Sequence, residues 1–312
     1  MMTDVMQTPK AEKFKSYKTA RLISKIIAYV LLTILAIIWI YPLLWIIICS
    51  FVVTPEGAPT PVPNTFFPDL SKRMYSFQNY INLFTEGYKN GTAGRFTFYF
   101  IDWFKNTLFV AVFSCVISTC FTLMVAYVMS KLNFSWRKKY LNFALIIGLF
   151  PGFMSMIAIY YMLKAIGLTG NLWALVLCNS AGAGLGFYVA KGFFDVIPDS
   201  LIESARLDGA TNAQIFVHII LPMSKPIVIY QALMAFTGPW MDFIFAKVIM
   251  GEDPTKWTVA VGLYNTMFGS QADESIFSVF AAGCVCVAIP IVTLFMFLQK
   301  YYVEGVTAGS VK

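Results

Sequence analysis

The 312-residue chain is poor in charge and has a single histidine. Only 12% of its residues are Asp, Glu, Lys or Arg, whereas soluble domains run near ~25%. One histidine, His218, excludes a zinc centre of the H-E-x-x-H kind and reads as a surface or interface residue. No G-x-x-x-x-G-K-[ST] loop occurs, so the usual phosphate cradle for ATP is missing. Nor is there a G-x-S-x-G elbow to present a nucleophilic serine. The six cysteines, at 49, 115, 120, 178, 284 and 286, all lie in apolar runs. Cys284 and Cys286 are two apart on a helix and do not share a face, so they read as packing residues rather than a disulfide or metal pair. The chain is expected to hold no catalytic residue, no metal site and no cofactor of its own.

What the chain does have is apolar sequence. Hydrophobic residues make up 58% of it and mean hydropathy is +0.70. A helix needs about 20 apolar residues to cross a bilayer, and six runs offer them: 26–53, 106–130, 140–163, 172–190, 226–246 and 276–299. Uninterrupted runs do not fit the alternation of a barrel. The expected fold is therefore all-α, a polytopic membrane protein with six transmembrane helices. Residues 1–25 form a polar tail, 26–53 the first span, 54–101 an outer loop, 102–299 a five-helix core and 300–312 a second tail. Within the outer loop, 76–84 (SFQNYINLF) reads as a short helix. Pro42, Pro151 and Gly238-Pro239 mark kinks in their spans. Gly182 and Gly186 have the small-xxx-small spacing that lets helices approach closely. The segment 250–275 reads as an outer loop.

The net charge of +7 is not laid out as a nucleic-acid surface, and no such partner is expected. Lys10, Lys13, Lys15, Lys18, Arg21 and Lys25 precede the first apolar run, and Lys131, Arg137, Lys138 and Lys139 fill the short loop after the second. Lys191, Arg206, Lys225, Lys300 and Lys312 fall on the same side. This is the positive-inside pattern, which puts both termini in the cytoplasm.

The longest polar interruption in the second half is 200–222, SLIESARLDGATNAQIFVHIILP, within a cytoplasmic loop at 193–225. Ser200 and Glu203 have capping-box spacing, which predicts a helix start at Ser200. Asp208-Gly209 supplies a C-cap and a sharp turn. Thr211 and Gln214 repeat the capping box, and Pro222 disfavours further continuation. Two short helices joined at a glycine are expected.

Glu203-Ser204-Ala205, three residues, Gly209, nine residues, Ile219, one residue, Leu221-Pro222 resembles the E-A-A-x3-G-x9-I-x-L-P signature of the membrane permeases of binding-protein-dependent ABC importers. Ser204 is the one departure, small for small. From about residue 79 to the end, the chain is similar to the carbohydrate-importer permeases of the maltose-transporter type. Trp240-Met241-Asp242-Phe243 resembles that family's W-x-x-F motif, WTVAVGLY at 257–264 its outer loop, and QKYYVEGVTAGSVK its tail. The resemblance implies the type I ABC importer permease fold, with 200–222 as a cytoplasmic coupling helix. It implies that Glu203, Ser204, Ala205, Asp208, Gly209, Ile219, Leu221 and Pro222 form the ATPase-docking stretch, the last three anchoring its second helix to the bundle. Gly305, Gly309 and Lys312 would reach the ATPases from the tail.

The implied partners are a second permease subunit, two cytoplasmic ATPase subunits that bind ATP and Mg, and an extracytoplasmic solute-binding protein. The implied setting is a prokaryotic cytoplasmic membrane and the implied solute a maltodextrin-like oligosaccharide. Asn179, Gln231 and Asp242 are candidates for the substrate cavity, Asp242 because a carboxylate within a membrane segment is a functional candidate by default. The alternative is an ion-coupled sugar carrier, which calls for coupling carboxylates near the midplane and an internal repeat.

Overall fold

The computed structural model describes residues 9–53, 74–85, 88–90, 94–96, 98–150, 152–182, 186–268 and 276–308. They are helical apart from two short strand pairs and the connections. Helix α1, Pro9–Phe51, starts well before the apolar run that predicts it. Over 9–25 the expected tail is therefore helical, opened by a proline at the first position, where the missing N–H had no partner to lose. From residue 21 to residue 40 every position is exposed, so this stretch leaves its apolar surface uncovered by the rest of the chain. Its far end packs on α14 and α2.

After α1, strand β1, Val52–Val53, pairs antiparallel with β2, Met74–Tyr75. Helix α2, Gln78–Phe84, is the short helix expected in SFQNYINLF. Its buried Asn79 donates through Nδ2 to the Ser50 and Val52 carbonyls at 2.9 and 2.8 Å, satisfying acceptors left open at the end of α1. A second strand pair, β3, Tyr88–Asn90, with β4, Gly94–Phe96, follows.

Helix α3, Phe100–Lys131, is unbroken, and α6, α7, α11 and α13 pack against it. The runs that follow do not form single helices. Residues 140–163 are divided between α4, Arg137–Gly148, and α5, Gly152–Ala165, on either side of Pro151, which lies outside the described residues. Residues 172–190 are divided between α6, Leu172–Ala181, and α7, Tyr188–Asp195. Gly182 and Gly186 thus sit at a helix break, and a Cβ on Gly182 would meet nothing within 4 Å. The close helix contact expected of this pair is not what Gly182 provides.

The polar stretch forms α8, Asp199–Leu207, and then α9, Asn212–Ile215, a π-helical turn, Phe216–Ile220, and α10, Leu221–Met223. Helix α11, Lys225–Met241, ends at Asp242, before α12, Ile244–Met250. Pro239 therefore lies near the end of its helix rather than in the middle. A 3-10 turn, Pro254–Lys256, and α13, Val259–Phe268, occupy the expected outer loop. Helix α14, Phe277–Ala308, runs straight through the boundary expected at residue 300.

In place of six unbroken spans, three stretches among the described residues are long and apolar enough to cross a bilayer alone: Arg21–Phe51, Phe100–Lys131 and Phe277–Lys300. A fourth candidate is the pair Asn212–Met223 and Lys225–Met241, bent by 88°. The proline and the glycines account for the divided runs, since each removes a helical hydrogen bond or lowers the cost of leaving the helix.

The core at the α13 end is aromatic and close-packed. Trp103, 2% exposed, donates through Nε1 to the Pro254 carbonyl at 2.7 Å, which fixes its ring. A Cβ built on Gly262 would fall 2.1 Å from that ring. Gly262→Ala is therefore expected to destabilise the detergent-solubilised protein by about 1–3 kcal/mol through overpacking. Gly192→Ala, with open space at its Cβ, is the control that should leave the melting temperature unlowered.

Candidate functional site

The hairpin is built differently at its start from what the Ser200–Glu203 spacing predicts. Pro198 takes φ −59°, ψ 132° and stands at the N-cap position, with Asp199 in the first turn. Ser200 is thus already helical, and its carbonyl accepts from Ser204 Oγ at 2.9 Å. No side chain caps this start, and the contact that holds it is of another kind. Lys131, at the end of α3, donates to the Ile197 carbonyl at 2.6 Å and to the Asp199 carboxylate at 2.7 Å. The Lys131 side chain is 3% exposed and that of Asp199 77%. The Lys131 hydrogen bond and charge hold the Asp199 carboxyl below its ordinary range. Next to this pair, Asp195 accepts from Ser130 Oγ and from Lys191, both at 2.6 Å.

The glycine turn is as the sequence predicts. Gly209 has φ +83°, its N–H donates to the Arg206 carbonyl at 3.0 Å, and the Ala210 N–H donates to the Ala205 carbonyl at 2.9 Å. This bonding is a Schellman motif, which needs a left-handed residue at the glycine position. Thr211 and Gln214 then complete a reciprocal capping box.

Pro222 does not end the second helix. The π-helical turn, closed by the Leu221 N–H on the Phe216 carbonyl, places Pro222 in the first turn of a new α segment, where its missing N–H costs little. The break comes at Ser224, with φ −111° and ψ 25°.

Burial separates the residues of the signature. Ile219 and Leu221 are half-buried against the core at this end, but Pro222 is exposed and anchors nothing. The buried anchors are Ile202, Ile215 and Ile220, at 3%, 0% and 0% exposure, packed with Tyr127 and Phe194. Each contributes about 2 kcal/mol where the alternative is water. Ala205 packs half-buried on the same core. Glu203, Ser204, Asp208 and Gly209 are exposed, as is His218, whose Nδ1 lies 3.1 Å from the Gln214 carbonyl. Leu207 is 89% exposed, an apolar tip on a polar hairpin. Of the tail residues, Gly305 lies within α14, and Gly309 and Lys312 lie outside the described residues.

A second site lies between α3, α6 and α11. A cavity of about 230 Å³ is lined by Ser114 and Ser118, by Asn179, by Gly182, and by Gln231 and Gly238 among others. Two of the three expected cavity residues, Asn179 and Gln231, meet there. Asp242 does not line it; its carboxylate accepts from the Phe245 N–H at 3.2 Å and starts α12, the usual work of an aspartate at a helix N-terminus. Ser114 and Ser118 escaped the sequence reading. The signal was present, because Thr107, Ser114, Ser118 and Thr122 recur at helical spacing along α3 and all four are buried.

A helical membrane protein in which one bent helix pair joins a polar cavity between helices to a polar hairpin has the build of a solute permease. The chain belongs to the family of the binding-protein-dependent transport system inner membrane component, whose model matches residues 118–307. It is 35% identical to the maltodextrin transport system permease protein MdxG of Bacillus subtilis (strain 168), over 94% of this chain and 98% of that protein. It is 32% identical to the galactooligosaccharides transport system permease protein GanQ of the same organism, over 95% and 98%. A crystal structure of a bacterial ABC transporter involved in the import of the acidic polysaccharide alginate contains a chain similar in fold, with TM-score 0.75, 23% identity and coverage of 91% and 98%.

Gly209→Ala is expected to cost the hairpin about 1 kcal/mol, since alanine must enter the left-handed region. The Asp199 pair gives a pH dependence of known sign. Its folded pKa lies below the unfolded one, so the pairing stabilises the hairpin above about pH 4 and is lost as pH falls through the depressed value. Hydrogen-exchange protection factors of the α8 amides, corrected for the intrinsic pH dependence of exchange, measure both effects: lower protection in Gly209→Ala at neutral pH, and protection that falls on acidification in wild type but not in Lys131→Met.

Proposed function

We propose that the chain is one of two permease subunits of an ATP-driven importer for a carbohydrate, a maltodextrin-like oligosaccharide, in a prokaryotic cytoplasmic membrane. In this reading the chain crosses the membrane six times with both termini in the cytoplasm, and the broken runs 140–163 and 172–190 each serve as one span. It is not itself an enzyme. ATP and Mg are bound by two cytoplasmic ATPase subunits, and an extracytoplasmic binding protein delivers the solute. Residues 200–222 are the coupling helix: Glu203, Ser204, Asp208 and Gly209 face the ATPase, while Ala205, Ile219 and Leu221 hold the stretch to the bundle. Gly305, Gly309 and Lys312 extend the contact from the tail. Family membership supports the transport role, and the oligosaccharide specificities in the names of its relatives support the solute class.

The observation that carries the coupling role is the hairpin's two-sided construction. One face is joined to α3 by Lys131 and buried isoleucines. The other presents exposed polar residues around Leu207. The basic α3–α4 connection lies at the same end through Lys131 and Arg137, whose guanidinium donates to the Ser130 carbonyl at 3.2 Å. That fits a cytoplasmic hairpin under the positive-inside rule.

Expression of the chain with its native neighbours, and isolation through a tag on this chain, tests the proposal. ATPase subunits should copurify, and Leu207→Asp should release them with the melting temperature unlowered, because Leu207 makes no buried contact to lose. Gly209→Asp should abolish uptake. A chain that purifies alone and moves sugar in liposomes on an ion gradient without ATP would establish the carrier alternative instead.

A further inference from the structure

The cavity between α3, α6 and α11 has a chemistry of its own. Ser114 is 1% exposed, lines the cavity, and its Oγ has no hydrogen-bond partner. A buried hydroxyl without a partner is costly, so such atoms in folded proteins call for an explanation. Ser118 lies one turn along the same face of α3 and lines the same cavity. Asn179 gives Nδ2 to the Leu175 carbonyl at 3.0 Å, which leaves its side-chain oxygen free to accept. Gln231, from α11, adds a second carboxamide.

Two hydroxyls and two carboxamides can both donate and accept, and none of the described lining residues is charged. At about 230 Å³ the cavity is open to its surroundings and on the scale of one sugar ring rather than a whole oligosaccharide. An anionic ligand would lie there with its charge unpaired, at high cost.

We infer that this cavity is a subsite for one ring of an uncharged saccharide, held by Ser114, Ser118, Asn179 and Gln231, and that it discriminates against uronates. The inference rests on the permease reading. It goes beyond that reading by placing direct sugar contact in this chain and by giving the contact a charge preference. The glycines have a matching role. Gly182 has helical φ −59°, ψ −22°, and neither Gly182 nor Gly238 has an atom within 4 Å of an added Cβ. Larger residues there would fill the cavity without straining the fold.

The test uses the full importer in proteoliposomes with its binding protein, following ATP-driven uptake of radiolabelled maltotriose, a β-galacto-trisaccharide and a uronate trisaccharide. Wild type should import a neutral sugar in preference to the uronate. Ser114→Ala should raise KM for that sugar about five-fold, the size of one lost net hydrogen bond. Its melting temperature should be equal or higher, because an unpaired buried hydroxyl has been removed. A merely structural serine would lower the melting temperature and leave KM alone. Gly182→Leu should block uptake while the complex still assembles and melts as wild type does. If wild type imports a neutral sugar but Ser114→Ala, Gln231→Ala and Gly182→Leu all keep KM within two-fold, the subsite is overturned and the permease reading stands. Preferred import of the uronate by wild type overturns the charge preference. If wild type imports none of the three saccharides with ATP, the oligosaccharide reading falls, and the subsite with it.

Discussion

Lipid offers no hydrogen bonds, so every break in a membrane helix must be satisfied by protein. Helix α3 is the surface that makes the breaks in this chain possible. It is unbroken over 32 residues, and α6, α7 and α11 lie against it. At one end, Asn106 donates to the Thr255 and Trp257 carbonyls, while the Val259 N–H donates to Thr107 Oγ. At the other end, Lys131 takes the Ile197 carbonyl and the Asp199 carboxylate. Polar side chains at the two ends of one helix thus tie down irregular backbone in the second half of the chain.

That arrangement places the two sites on adjoining elements. Ser224 alone separates the hairpin's second helix from α11, and the two meet at 88°. Ser224 is buried, and its N–H lies within hydrogen-bond distance of the Ile220 and Leu221 carbonyls, at 3.0 and 3.2 Å, so the bend is a fixed corner rather than a loose linker. Helix α11 carries Gln231 and Gly238 into the cavity wall. The hairpin and this part of the cavity wall therefore belong to one continuous, packed element. The isoleucines matter for the same reason: Ile215 and Ile220 are fully buried, so the second helix of the hairpin cannot slide without losing its core.

Much of this could be read from residue order. The Gly209 turn, the Thr211 capping box, the short helix at 78–84 and the division at Pro151 each follow from one or two residues whose backbone preferences dominate locally. Other features depend on contacts that no local pattern encodes. Ser200 and Glu203 have the right spacing for a cap, yet Pro198 sets the helix start and Lys131, far away in sequence, binds its first turn. Pro222 reads as a stop until the π turn moves the register by one residue. Gly182 and Gly186 read as a packing pair, but they mark a break beside a cavity, and the two meanings of glycine cannot be told apart without knowing what faces it. Asp242 drew attention as a charge in an apolar run; its work is to cap the next helix.

The charge of the cavity wall bears on what the cavity accepts. A fold can be shared between importers of acidic and neutral solutes, because the helices set where a cavity lies and only a few side chains set what it accepts. An acidic ligand taken out of water needs fixed cations nearby, since unpaired burial of even one carboxylate is prohibitive. Here the described lining is hydroxyl, carboxamide, glycine and apolar carbon, and the lysines and arginines of the α3–α4 connection and the hairpin lie at one end, beyond Ser130. With no cation among the described lining residues, this chain's own side of the cavity gives an anion no charge to favour it over a neutral sugar. Discrimination by charge then requires no recognition of the neutral ligand's identity, only refusal of the charged one, which the cost of desolvating a charge without a partner would supply.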